Sequence, residues 1–126
     1  MPTRDQICAV CDAYVAAVSA HDVDAIMAVF APGAAQEEPV GSAPNVGHEA
    51  IRAFFAATED FPFTVRRIGP ITVSGDVAAF QIGVDFPDGA VPSMTSTDVA
   101  TFDGDGLIKR LVAIPDGQAD PDFTPA

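Results

Sequence analysis

Apolar residues recur at three- and four-residue steps through the first part of the chain and then switch to strict alternation. Ile7, Val10, Cys11, Tyr14 and Val18 trace one stripe of a helix. Thr3 and Gln6 have the spacing of a capping box, so this helix is expected to begin at Thr3. His21 and Asp22 interrupt the stripe. Asp22 can cap a second helix whose buried face is Val23, Ile26, Met27 and Phe30, with Pro32 and Gly33 as its end. Residues 34–38 read as a short extended piece closed by Pro39 and Gly41, and 42–47 as loop. A third helix is expected over 48–58, with Ile51, Phe54 and Phe55 turned inward.

Strand patterns follow at about 62–68, 70–74, 77–87 and 91–103, with a fifth at 106–115. In the clearest, Ala78, Phe80, Ile82, Val84 and Phe86 share one face, and Gln81 and Asp85 the other. Pro87-Asp88-Gly89 and Asp103-Gly104-Asp105-Gly106 are suitable hairpin turns. In the last strand Leu107, Leu111 and Ala113 alternate with Ile108, Val112 and Ile114, so both faces read as buried. Helices first and hairpin-linked strands after predict an α+β fold: three N-terminal helices on one face of a curved, mainly antiparallel β-sheet. No repeat or composition break divides the chain, so 1–126 is expected to be a single domain, with 116–126 a loosely ordered tail.

The composition narrows the function. Hydrophobic residues make up 48% of the 126, which predicts a folded core rather than disorder. Eighteen acidic against six basic residues give a formal net charge of -12, which argues against nucleic acid or an anionic membrane as partner. No apolar run reaches spanning length and the start of the chain lacks signal-peptide character, so a cytoplasmic protein is expected. Cys8 and Cys11 form a C-x-x-C, but they fall inside a helical pattern, with no second pair and no suitably spaced His. Helix packing is their expected role, and metal-ligand clusters are absent. Nine Phe, one Tyr and no Trp predict a dry interior.

Against that interior, three polar features stand out. Asp98 shares a strand face with Met94, Ser96, Ala100 and Phe102. A carboxyl on the apolar face is costly unless it is paired, hydrogen-bonded or protonated. It can cap a nearby backbone group, or stay neutral and donate a hydrogen bond. Tyr14 lies inside the first helix stripe, and a buried phenol needs a partner for its hydroxyl. Glu37 and Glu38 precede Pro39, and a carboxylate at the mouth of a dry pocket can act as a base. Two neutral donors and one base are what an enolisation requires. His21 and His48 sit near helix ends, where solvated or capping roles are expected. No G-x-S-x-G is present, and Gly104-Asp105-Gly106 is too short for a dinucleotide fingerprint.

These residues carry a resemblance. The segments Ala13-Tyr14-Val15-Ala16-Ala17-Val18, His21-Asp22-Val23-Asp24-Ala25-Ile26, Phe30-Ala31, Glu37-Glu38-Pro39-Val40-Gly41-Ser42 and Ala50-Ile51-Arg52-Ala53-Phe54-Phe55 resemble bacterial ketosteroid isomerases. The Asp98 strand with Phe102 extends the resemblance to about residue 115. It implies the cone-shaped fold of the nuclear transport factor 2 (SnoaL-like) superfamily, a homodimer, and no cofactor. It implies a steroid delta-isomerase that moves a β,γ double bond of a 3-oxo steroid into conjugation. Glu38 takes the general-base position, Tyr14 the first oxyanion donor and Asp98 the second. A neutral buried Asp as second donor is that family's known arrangement, not something this strand reveals.

The expected substrate wall is Phe30, Phe54 and Phe55 from the helical region, with Phe80, Ile82, Val84, Phe86, Ala100 and Phe102 from the strands. Two departures are visible. The family's base is normally Asp, and Glu38 is one methylene longer; a shift of about an ångström can cost about a hundredfold in rate. Some members back the donor Tyr with further tyrosines, where this chain has Phe30 and Phe55. Glu37, on the opposite strand face, is expected to be a solvated neighbour. Another enzyme of the same superfamily (a polyketide cyclase or epoxide hydrolase) and a non-catalytic binding protein for steroid-like ligands are the alternatives.

Overall fold

The computed structural model describes residues 2–87 and 94–117. The elements are α1 (Arg4–Ser19), α2 (Val23–Met27), β1 (Phe30–Glu37), β2 (Asn45–Val46), α3 (His48–Ala56), β3 (Thr64–Ser74), β4 (Val77–Asp85), β5 (Met94–Phe102) and β6 (Ile108–Asp116). They form one six-stranded sheet in the order β2-β1-β6-β5-β4-β3, in which only β1 and β6 are parallel. The expected α+β architecture is therefore present, with the helices against one sheet face.

The cap at Thr3 is formed: its hydroxyl accepts from the Gln6 N–H while the Gln6 side chain accepts from the Thr3 N–H. Asp22 caps α2 through the Ala25 N–H. Ile7, Cys11, Tyr14 and Val15 of α1 enter the same core as Ile51 and Phe55 of α3 and Ala78, Phe80 and Ile82 of β4. Fully burying the Ile, Val and Phe side chains among these stabilises the fold by roughly 1.5–3 kcal/mol each. Among the described residues, no helix is long and apolar enough to cross a membrane.

The structure corrects several sequence readings. Phe30 does not belong to α2, which ends at Met27; it opens β1, which continues past Pro32 and Gly33 with a register irregularity against β6. The segments expected at 62–68 and 70–74 form one strand, β3, with a bulge at Gly69, whose φ of 71° suits glycine. The last strand does not bury both faces. A register shift beside Thr101 and Phe102 puts Ile108 on the same side as Leu111 and Ala113, all buried, and leaves Ile114 45% exposed. Residues 45–46, expected as loop, pair with β1. Asp88 and Gly89 of the expected turn, 91–93 of the expected strand and most of the expected tail lie outside the described residues.

Candidate active site

A pocket of about 290 Å³ opens between the helices and the concave sheet face. Phe54 and Phe55 of α3, Phe61 and Phe63 beyond it, and Ile82, Val84 and Phe86 on β4 and its extension supply apolar wall. Among the described residues, Tyr14, Thr58, Ser96, Asp98 and Glu38 are the polar side chains lining it, and Pro115 of β6 also lines it.

Strand register explains where the pocket stops. Phe80 pairs with Asp98 and Ile82 with Ser96. On β4, Ile82 and Val84 line the pocket but Ala78 and Phe80 do not; on β5, Met94, Ser96 and Asp98 line it but Ala100 and Phe102 do not. Asp98 is thus the last inner-face residue of β5 before solid core. Four residues expected in the substrate wall, Phe30, Phe80, Ala100 and Phe102, are buried core beneath it. Their inward orientation was readable, but the depth at which the cavity ends depends on packing from α1 and α3.

Tyr14 reaches this floor from α1. Its ring is met edge-on by Phe30, Phe55 and Phe80, with centroids at 5.9, 6.3 and 6.4 Å. The phenol is held well above its ordinary acidity range by burial first, then by the negative potential of Asp98 and Glu38. It therefore stays protonated and can donate. The same interaction shows that all three groups share one electrostatic neighbourhood.

Asp98 is 2% exposed, and its Oδ1 accepts a hydrogen bond from the Ser96 hydroxyl at 2.9 Å. Burial raises its pKa to about 6, and the Ser96 bond, which favours the ionised form, holds it from rising further. The direction agrees with a carboxyl that can stay neutral and donate, and with the pocket empty the neutral form dominates below about pH 6. Glu38 is half-buried, and burial followed by repulsion from Asp98 pushes it up to about 7, against a Gln36 amide bond that lowers it. Glu37 is half-buried and is not part of the pocket lining.

Sequence reasoning missed Gln36, which is fully buried two residues before Glu38. Its Nε2 faces Glu38 Oε2 at 3.5 Å, while its Oε1 accepts from Asn45 Nδ2 at 3.0 Å. The two-residue period Ala34, Gln36, Glu38 carried the signal. Phe61 and Phe63 were also missed: they lie between α3 and β3, Phe61 outside any expected element and Phe63 at the start of the strand expected over 62–68, whose inward face was not assigned.

The remaining candidates have structural roles. His21 Nε2 donates to the Phe63 carbonyl at 2.8 Å and His48 Nε2 to the Phe30 carbonyl at 2.9 Å; a carbonyl partner requires the proton on Nε2. Cys11 is buried and its thiol is pushed up to about 12, while Cys8 is half-buried; both are free. Among the described residues, no group of three or more His, Cys, Asp or Glu could hold a metal ion.

Comparison with known proteins agrees with this architecture. A steroid delta-isomerase from Nocardioides simplex is 33% identical over 101 residues, covering 79% of this chain and 81% of its own. Among solved structures, the epoxide hydrolase/cyclase-like enzyme SalBIII, studied for pyran ring formation in the polyether salinomycin, superposes with a TM-score of 0.81. That match covers 92% of this chain and 95% of the other at 23% identity, so it speaks for the fold. The profile of the SnoaL-like domain matches residues 11–111, from the middle of α1 to the centre of β6, and with it the helices and the sheet that build the pocket. The chain belongs to the SnoaL-like family, within the nuclear transport factor 2-like superfamily.

Proposed function

We propose that this protein is a steroid delta-isomerase acting on β,γ-unsaturated 3-oxo steroids. The observation that carries the reading is the meeting of Tyr14, Asp98 and Glu38 in one largely apolar pocket. The relationship to the Nocardioides simplex protein supports it.

In this mechanism the substrate carbonyl points to the pocket floor, toward Tyr14 and Asp98. Glu38, ionised, removes a proton from the carbon between the carbonyl and the alkene. The C–H electron pair moves into the ring system and negative charge develops on the carbonyl oxygen. Hydrogen bonds from the Tyr14 hydroxyl and the neutral Asp98 hold that charge in a water-poor site, where they count for more than in water. Glu38 then returns the proton two carbons away, and the dienolate collapses to the conjugated enone. The proton leaves and returns through one carboxylate, so the reaction balances without an oxidant or reductant.

Protonation states matter to this reading. A base with a pKa near 7 is both available and strong enough at neutral pH. Asp98 needs help from the substrate. A carbonyl oxygen offers only lone pairs, which pair with a neutral carboxyl and repel a carboxylate, so substrate binding favours the neutral acid. The homodimer implied by the resemblance belongs to the same reading, and sedimentation of the purified chain tests it.

A second reading is epoxide opening. Two carboxyls with raised pKa values can protonate an epoxide oxygen while the other directs the nucleophile. One pair of assays separates the two. The purified protein is mixed with a β,γ-unsaturated 3-oxo steroid and the ultraviolet absorbance of the conjugated enone is followed; a matched epoxide is assayed in parallel. No acceleration of the steroid reaction over buffer would sink the isomerase reading.

A further inference from the structure

The shortest strand of the sheet places one side chain against Gln36, whose amide faces the candidate base. β2 holds two residues, and Asn45 stands directly opposite Gln36 of β1. Cross-strand partners on one face are close enough for their side chains to interact. Asn45 Nδ2 donates to Gln36 Oε1, and this sets the orientation of the Gln36 amide: its oxygen is engaged, so its nitrogen faces Glu38 Oε2. Gln36 is fully buried. A buried amide lowers stability unless its polar atoms are satisfied, and an apolar residue would fill the same space without that demand.

The surroundings of Glu38 show what the amide adds. The backbone after it is fastened: the Val40 N–H donates to the Ala113 carbonyl at 2.7 Å, and Ser42 bonds the Pro39 carbonyl through its N–H at 3.0 Å and its hydroxyl at 2.6 Å. The side chain is a different matter. Glutamate has one more rotatable bond than aspartate, so a fixed backbone leaves its carboxylate a wider arc. Most of the rest of the pocket lining is apolar, such as Phe54, Phe86 and Pro115.

We infer that Gln36, oriented by Asn45, is a positioning residue that holds the Glu38 carboxylate in its proton-abstracting orientation and favours its ionised form. This rests on the reading of Glu38 as the base. It also gives the longer side chain a physical partner: the amide reaches the carboxylate at glutamate's length. Gln36 touches no substrate in this scheme and acts only through Glu38.

Among the described residues, the titratable groups facing Glu38 are Asp98 from β5 and Tyr14 from α1. α3 and β4 present Phe54, Phe55, Ile82 and Val84, and β6 presents Pro115, none of which titrates. Removing the Gln36 donor leaves burial and Asp98 in place, and both favour the neutral acid.

The test uses Gln36→Leu and Asn45→Ala in the full chain. The Glu38 carboxyl is titrated in the ligand-free protein by carbon NMR, which needs no activity. Gln36→Leu is expected to move the Glu38 midpoint upward by about half a pH unit or more. Asn45→Ala, at a half-buried position that tolerates truncation, should move it the same way by less, because the amide is present but free to turn. In the steroid assay, kcat should fall about tenfold in Gln36→Leu with KM little changed, since the contact acts on the base and not on binding. An unmoved Glu38 midpoint in both variants would overturn the role of Gln36, as would a raised KM with unchanged kcat. Failure of the unsubstituted protein to isomerise the steroid is a separate result, which removes the base and this role together.

Discussion

Ser96 donates its hydroxyl to Asp98 Oδ1 at 2.9 Å, from the same inner face of β5 two residues away. The bond works against the neutral acid. Asp98 is buried deeply enough to resist ionisation, yet its nearest polar neighbour is arranged to accept it ionised. As the proposed second oxyanion donor, Asp98 is therefore poised near pH 6 and tipped by the ligand.

Ketone affinity should report this directly. In a Glu38→Gln background, where among the described residues Asp98 is the pocket carboxyl left to titrate, a saturated 3-oxo steroid should bind most tightly below about pH 6. Above that its affinity should fall by up to about tenfold per pH unit, because each bound ketone requires a proton on Asp98. Calorimetry at several pH values measures it. Asp98→Asn should flatten the profile, since an amide donates at every pH; a profile that keeps its slope in that variant would assign the dependence to another group.

Ser96→Ala separates the hydroxyl from the burial. Without the donor, the ionised form of Asp98 loses support and burial alone governs it. The break in ketone affinity should move to higher pH, and affinity near pH 7 should rise several-fold. A break that moves downward or stays put contradicts the assigned direction of the bond.

How much of this was readable in the chain depended on the range of the forces involved. The Thr3 cap and the α1 stripe are local, and the alternation on β4 reflects a pleat repeated every two residues, so all were legible. Phe30 was not. It is buried against Tyr14 and Phe55, as a helical residue there would be, and its strand state is set by pairing with Ile108 at the far end of the sequence. The inward position of Ile108 beside Leu111 depends on a register shift that no periodicity announces. Tyr14 and Asp98 were legible because each breaks an apolar pattern, whereas Glu38 was set apart from Glu37 by the family resemblance. Gln36 breaks one too, but in a strand too short and too Ala-rich for the break to stand out.

Tyr14→Phe removes one proposed oxyanion donor and little else. The ring keeps its three edge-on aromatic contacts, so folding should be unaffected to within about 1 kcal/mol. Turnover of the β,γ-unsaturated steroid should fall about a hundred- to a thousandfold, mostly in kcat. Thermal melting alongside the steroid assay distinguishes the two effects. A comparable loss of stability and rate would mean that the hydroxyl is structural.

The pocket carboxyls also set how stability depends on pH. Glu38 at about 7 and Asp98 at about 6 lie above their ordinary 4.5 and 3.8. The folded chain thus holds protons that the unfolded chain releases. Their contribution is fully present below about pH 4 and is lost as pH rises through 6 and then 7. The ligand-free protein should lose on the order of a few kcal/mol between pH 5 and pH 8, less whatever the half-exposure of Glu38 screens. Urea unfolding at the two pH values measures this. The double variant Glu38→Gln, Asp98→Asn should be nearly level across the range, and a wild-type curve that rises toward pH 8 would reverse the sign of both shifts.

The length of the base is the sharpest remaining variable, and Glu38→Asp isolates it. Asp would retain a carboxylate of similar strength on a backbone fastened through Val40 and Ser42, but about an ångström short. If the pocket were built for the shorter residue, the change would raise the rate. The Gln36 amide argues otherwise, because it meets the carboxylate where glutamate puts it, and a retracted carboxylate would lose that partner. Glu38→Asp should therefore lower kcat for the β,γ-unsaturated steroid by up to about a hundredfold. Affinity for a saturated 3-oxo steroid, which needs no base, should be little changed. Glu38→Gln should bring turnover close to the buffer rate with the same affinity retained, as a donor amide cannot accept the proton. An increase in kcat in Glu38→Asp would show that the longer base is a poor fit to this substrate, and would move the search to a carbonyl compound whose acidic carbon sits further from the pocket wall.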